Sequence, residues 1–130
     1  MSEDICEVVL LGVDGTALQG MLDQPARADR GVLLLHAKGG SRHDRALKKE
    51  AQALSEAGVA YLIPELVDES EGWHEFGDES FFAHRAEAVL LWWHQRAPHL
   101  QLSAFSLLEG PLAKERLLSH GILSEVVQGQ

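Results

Sequence analysis

The chain has 130 residues, a length that fits a single domain with a sizeable hydrophobic core. Its formal charge of −9 at pH 7 argues against nucleic acid and anionic membrane surfaces as partners. Cys6 is the only cysteine, so an internal disulfide is excluded, and every apolar run is too short to cross a bilayer. We therefore expect one α/β domain over residues 1–130, located in the cytoplasm.

The predicted strands are short apolar runs bounded by turn residues, and the predicted helices carry an apolar stripe. The strands are residues 7–12, 16–22, 32–35, 59–63, 100–105 and 122–127, and the helices are residues 44–57, 81–96 and 112–120. Asp14-Gly15 predicts a hairpin between the first two strands. Strands and helices then alternate, which indicates a mostly parallel sheet with helices on both faces. The antiparallel hairpin is expected at one sheet edge.

Capping residues mark the ends of the predicted helices. Ser41 or Asp44 can cap the first helix, and Ser80 can cap the second. Gly58 and Gly121 follow the first and third helices, where a left-handed residue often ends a helix.

The fifth predicted strand is followed directly by Ser106, a candidate nucleophile. A sharp bend between a strand and a helix lifts a serine hydroxyl above the sheet. The backbone N–H of Leu107 is then a candidate oxyanion donor, and the backbone N–H of Lys38 is the second. Both lie at carboxyl ends of strands, where ligands of parallel sheets bind.

The loop after the third strand reads His36-Ala37-Lys38-Gly39-Gly40. Gly39 and Gly40 allow a tight turn whose N–H groups can face a ligand. For His36, we favour a structural role that orients this loop over a catalytic one. A basic cluster follows, and we favour a solvated helix face over an anion site for it. The cluster is formed by Arg42, Arg45, Lys48 and Lys49.

The segment from residue 31 to residue 43 resembles the His-Gly-x-Gly-Gly-x-x-x-His segment of α/β-hydrolases related to the dienelactone hydrolases, with Ala37 replacing the first loop glycine. The hairpin Asp14-Gly15-Thr16-x-Leu18-x-Gly20-x-Leu22-x-x-Pro25 is similar to that of the same family. The resemblance is good over residues 7–71, fair to residue 105 and weak beyond. It implies a mostly parallel sheet and hydrolysis of a small ester-, lactone- or amide-like substrate by a Ser-Asp-His triad without a cofactor.

The catalytic centre departs from that family pattern in two ways. The nucleophile turn reads Ala104-Phe105-Ser106-Leu107-Leu108 where the family has Gly-x-Ser-x-Gly, and Leu108 is expected to crowd the turn or shift the helix. His120 closes the next helix, some ~20 Å from Ser106 at about 1.5 Å per residue, too far for a general base. The acids after the turn are Glu109, Glu115 and Glu125. The triad therefore lacks its acid and base.

Two functions stand as alternatives. The first is an α/β-hydrolase whose activity is impaired or absent in this chain. The second is a non-catalytic binding or scaffold domain, because the last strand leaves an apolar edge from Ile122 to Val127 and such edges pair with another chain. We expect a homodimer or a partner at that edge. A third interpretation is a chain cut short, with the domain incomplete at its C-terminus. The seven histidines lack ligand spacing, so no metal is expected.

Overall fold

The computed structural model describes residues 6–13, 15–67 and 78–129, which form six strands and three helices. The strands are β1 (Cys6–Val13), β2 (Thr16–Asp23), β3 (Arg30–Leu35), β4 (Ala60–Pro64), β5 (Gln101–Ser106) and β6 (Leu123–Gln128). The helices are α1 (Arg45–Glu56), α2 (Glu79–Arg96) and α3 (Leu112–Ser119). Each corresponds to a predicted element, with ends that differ by at most two residues.

The strands form one sheet in the order β1-β2-β4-β3-β5-β6. β4, β3, β5 and β6 run parallel to one another, whereas β2 pairs antiparallel with both β1 and β4, so the hairpin of β1 and β2 lies at one edge. Val13 pairs with Thr16 across the hairpin; Asp14, the predicted turn residue, lies outside the described residues. The mostly parallel α/β sheet with an edge hairpin is therefore confirmed.

Helices cover both faces of the sheet, as the strand side chains show. Leu33 and Leu35 belong to the large core cluster with α2 and α3, whereas Leu34 belongs to the cluster with α1. All three leucines are fully buried. Because side chains alternate along a strand, an uninterrupted apolar run is what a strand buried on both faces requires.

Aspartate side chains cap the first two helices, α1 and α2. Asp44 caps α1, because its Oδ1 accepts the N–H of Ala46 at 2.8 Å; Ser41 instead accepts the N–H of His43. Asp78 caps α2 by accepting the N–H of Phe81 at 2.7 Å. The prediction that Ser80 caps α2 was wrong, since Ser80 lies inside the first turn and the aspartate two residues earlier takes the cap position.

The chain leaves α1 and α3 through glycines with positive φ. Gly58 has a φ of 74° and Gly121 a φ of 68°, as the sequence predicts for the residues that end these helices. Within the described ranges, no helix is both long enough and apolar enough to cross a membrane.

Candidate functional site

Two loops meet at the carboxyl edge of the sheet because β3 and β5 are neighbouring parallel strands. Their register pairs Leu35 with Ser106, the last residues of the two strands. The glycine loop that starts at His36 therefore leaves the sheet beside the turn that starts at Ser106. The tertiary structure thus brings together the two halves of the predicted site.

His36 lies buried beneath the glycine loop, with 2% of its surface exposed. Its Nδ1 lies 2.8 Å from the carbonyl oxygen of Ala37, and its Nε2 accepts the N–H of Leu66 at 2.9 Å. Since a backbone N–H only donates and a carbonyl only accepts, the ring is the neutral tautomer with its hydrogen on Nδ1. Both nitrogens are engaged with the backbone, which is the geometry that a loop-shaping role requires.

The glycine loop is a tight turn. The N–H of Gly40 donates to the carbonyl of Ala37 at 2.8 Å, and Gly39 has a φ of 81°, as at the third position of a type II turn. The N–H groups of Lys38 and Gly39 have no hydrogen-bond partner among the described residues. Lys38 therefore keeps a free main-chain donor for the oxyanion role predicted from the sequence.

The turn at Ser106 is held by one hydrogen bond within the turn and by another to the end of β3. Ser106 is 3% exposed, and its Oγ accepts the N–H of Leu108 at 3.1 Å. The N–H of Leu107 donates to the carbonyl of Leu35 at 2.9 Å. The oxyanion donor predicted at Leu107 is thus engaged in a bond between β3 and the turn, and it becomes available only if that bond opens.

Gln128 and Gly129, at the end of β6, hold the same turn from the other side; we call these two residues the β6 strap. The Nε2 of Gln128 donates to the carbonyls of Ser106 at 3.0 Å and Leu108 at 2.8 Å. The N–H of Gly129 also donates to the carbonyl oxygen of Ser106. Leu108 is buried, and α3 begins only at Leu112, so the bulky residue is accommodated by a longer turn before the helix. Sequence reasoning missed Gln128, since nothing local links it to Ser106.

One cavity, about 390 Å³ in volume, opens beside the glycine loop and is built around Arg42 and Glu65. Glu65 Oε1 accepts the backbone N–H of Arg42 at 3.0 Å and lies 3.6 Å from its Nη1. Arg42 Nη1 also donates to Oε1 of Gln19 at 3.0 Å. We call this the Arg42–Glu65 cavity. Of the predicted basic cluster, Arg42 turns into this cavity, while Arg45, Lys48 and Lys49 are exposed on α1 as expected.

A second cavity of about 350 Å³ lies beside the Ser106 turn. Lys38 and Glu109 line its polar side, and the buried side chains of Phe82 and Leu108 line its apolar side. Phe82 lines both cavities. The carboxyl edge of the sheet thus offers adjoining space on both sides of the glycine loop.

Among the described residues, no histidine nitrogen contacts Ser106 Oγ. The hydrogen bond to this oxygen comes from the backbone N–H of Leu108. His120 instead lies 2.6 Å from the carboxylate of Glu87, in a pair that joins the end of α3 to α2. The described ranges also contain no group of three His, Cys, Asp or Glu side chains arranged to hold a metal ion.

Neither a protein-family sequence profile nor a curated protein sequence matches the chain. Solved structures do match it. A dienelactone hydrolase from Anabaena variabilis is 23% identical, with a TM-score of 0.87 over 98% of this chain and 63% of that one. An α/β serine hydrolase without a lid from Xanthomonas campestris is 19% identical, with a TM-score of 0.74 over 95% and 60% of the two chains.

A cold-adapted esterase from an Arctic intertidal metagenomic library is 18% identical, with a TM-score of 0.74 over 99% of this chain and 62% of that one. The chain thus spans about three fifths of the length of the solved structures that it matches. These similarities show that the chain has a dienelactone hydrolase-like α/β-hydrolase fold.

Proposed function

We propose that this protein derives from an enzyme that hydrolyses a carboxylic ester, lactone or similar acyl bond, and that it retains part of the catalytic machinery. In this proposal Ser106 is the nucleophile, and the backbone N–H of Lys38 stabilises the oxyanion. A chain with one cysteine suits the reducing cytoplasm, where we place its function. The observation that carries the proposal is the pairing of Leu35 with Ser106, because it sets the glycine loop beside the serine turn.

We further propose that the described part of the chain, by itself, catalyses this reaction poorly. Ser106 is 3% exposed, and its Oγ accepts a hydrogen bond from the N–H of Leu108, so the hydroxyl group is held by its own turn. His36, at the start of the glycine loop, uses both ring nitrogens for backbone contacts. Loss of a positioned general base costs about 10²–10⁴-fold in rate.

A fluorophosphonate probe tests the nucleophile. We expect slow labelling of the wild-type protein, none of Ser106→Ala, and wild-type labelling of Ser103→Ala, a serine on the same strand. Imidazole in the buffer should accelerate labelling of the wild type, since it supplies the missing base, and should leave Ser106→Ala unlabelled. A wild-type protein that stays unlabelled with imidazole present would contradict the proposed chemistry.

A second candidate function is a binding domain that pairs through β6. β6 is the edge strand of the described sheet, and Val127 on it is 46% exposed. An edge strand with an exposed apolar side chain is a template for pairing with another strand. We propose a homodimer in which two copies of β6 pair.

Light scattering at several protein concentrations tests this second function. The wild type should be a dimer, and Val127→Lys should shift it towards monomer because two lysines would face each other near the edge. Leu118→Lys is the matched control, since Leu118 is 38% exposed and lies on α3 rather than on β6. A wild-type monomer at high concentration contradicts the pairing.

A further inference from the structure

The Arg42–Glu65 cavity is a polar site distinct from the serine turn. Ser106 is not among its lining residues, whereas Gly39, Gly40 and Phe82 are. Its volume of about 390 Å³ falls within the ~300–1,000 Å³ range of small-molecule sites. Arg42 and Glu65 both keep a little exposed side-chain area, 14% and 20%, so a ligand in the cavity can reach them.

Among the described residues that line this cavity, the charges of Arg42 and Glu65 cancel. The guanidinium of Arg42 lies 3.6 Å from Glu65 Oε1, and the same oxygen accepts the Arg42 backbone N–H at 3.0 Å. An anionic ligand would compete with Glu65 for the arginine, and a cationic ligand would compete with the arginine for Glu65. Separating a partly buried ion pair leaves an uncompensated charge. The pair therefore favours a neutral ligand.

Unpaired donors and an unpaired acceptor lie side by side on this ion pair. Arg42 Nη2 has no hydrogen-bond partner among the described residues, and Nε is buried without one. His36 Nε2 lies 3.9 Å from Glu65 Oε2, but it already accepts the Leu66 N–H and so donates nothing to this oxygen. A hydroxyl group both donates and accepts, so it matches this combination as no purely donating or accepting group does.

We propose that the Arg42–Glu65 cavity binds a neutral, hydroxyl-rich group of about monosaccharide size. Neighbouring hydroxyls would donate to Glu65 Oε2 and accept from Arg42 Nη2, while the carbon skeleton lies against Phe82. The role of the cavity in catalysis rests on the proposed acyl hydrolysis. If that reaction occurs, the cavity receives the alcohol side of the ester, across the glycine loop from Ser106.

Titration with three probes of similar shape tests the proposal: methyl glucoside, methyl glucuronide and methyl glucosaminide, which are neutral, acidic and basic. We expect the neutral glycoside to bind best by calorimetry. In NMR spectra, it should shift the amide signals of Gly39 and Gly40 and leave those of Gly58 and Gly121 unchanged. Tighter binding of the acid or the amine, or no binding of the neutral glycoside, overturns the proposal.

Glu65→Gln gives a sharper test because it replaces one of the two acceptor oxygens with a donating NH₂ group and leaves Arg42 without a charged partner. Binding of methyl glucoside should weaken about tenfold, and methyl glucuronide should become the preferred probe. Glu56→Gln is the matched control on the exposed face of α1 and should bind like the wild type. If Glu65→Gln does not fold, the wild-type NMR titration alone decides the outcome.

Ser106→Ala separates this site from the proposed catalysis. Because Ser106 does not line the cavity, the variant should bind methyl glucoside with wild-type affinity. Glycoside binding in a protein that the fluorophosphonate never labels would refute the acyl chemistry alone. Labelling of Ser106 without glycoside binding would refute the cavity proposal alone.

Discussion

The Nε2 of His36 accepts the backbone N–H of Leu66 at 2.9 Å, a bond that joins the end of β3 to the end of β4. Both residues are buried, at 2% and 0% exposure. The ring also contacts the carbonyl of Ala37, so one side chain sets the first residue of the glycine loop and the position of the neighbouring strand end.

His36→Leu should therefore destabilise the fold. The substitution leaves the buried N–H of Leu66 without an acceptor, a loss of about 1–3 kcal/mol in the free energy of unfolding. Urea denaturation measures it. His43→Leu is the control at an exposed histidine of the same segment and should change stability by less than about 0.5 kcal/mol. Equal effects of the two substitutions would show that the Leu66 contact contributes nothing.

Ser106→Ala should also lower stability, whatever its effect on labelling. The buried Oγ is the acceptor for the N–H of Leu108, and its removal leaves that donor unsatisfied at a cost of about 1–3 kcal/mol. Thermal or urea unfolding gives the value. Ser80→Ala, at an exposed serine of α2, should be neutral or slightly stabilising. A stabilised Ser106→Ala protein would instead indicate a serine strained for catalysis.

Gln128→Glu should loosen the serine turn from the β6 side. A carboxylate has no N–H, so the bonds to the carbonyls of Ser106 and Leu108 are both lost and an acceptor faces two acceptors. We expect a loss of about 1–3 kcal/mol and faster hydrogen exchange at Leu107. The same change at exposed Gln101 should leave both quantities near wild type. Unchanged exchange at Leu107 in Gln128→Glu would argue against the β6 strap.

Gly31→Ala tests the packing under β3. A Cβ at this position would lie 2.8 Å from the Trp93 ring and 2.9 Å from Leu102. Overpacking of this kind costs about 1–3 kcal/mol, and the tryptophan has little room to move because its Nε1 donates to Gln24. Gly12→Ala, where nothing lies within 4 Å, should be tolerated. Denaturation midpoints of the two variants provide the comparison.

Much of the fold could be predicted from local patterns. The unbroken apolar run before His36 predicts a strand covered on both faces, and the spacing of Leu47 and Ala51 predicts the buried face of α1; both are confirmed. The α2 cap was predicted at Ser80 rather than Asp78, because several residues near a helix start can cap and the backbone conformation chooses among them.

The candidate site likewise has some features that the sequence predicts and others that only the tertiary structure shows. The positions of the glycine loop and Ser106 at the carboxyl ends of parallel strands follow from the alternation of strands and helices, whereas only the tertiary structure decided that β3 and β5 are neighbours. Tertiary structure alone decided that the Leu107 N–H bonds to Leu35, that Gln128 straps the serine turn, and that Arg42 pairs with Glu65. Those contacts join residues far apart in the chain, and hydrogen-bond geometry in a packed interior, rather than residue periodicity, selects which donor meets which acceptor.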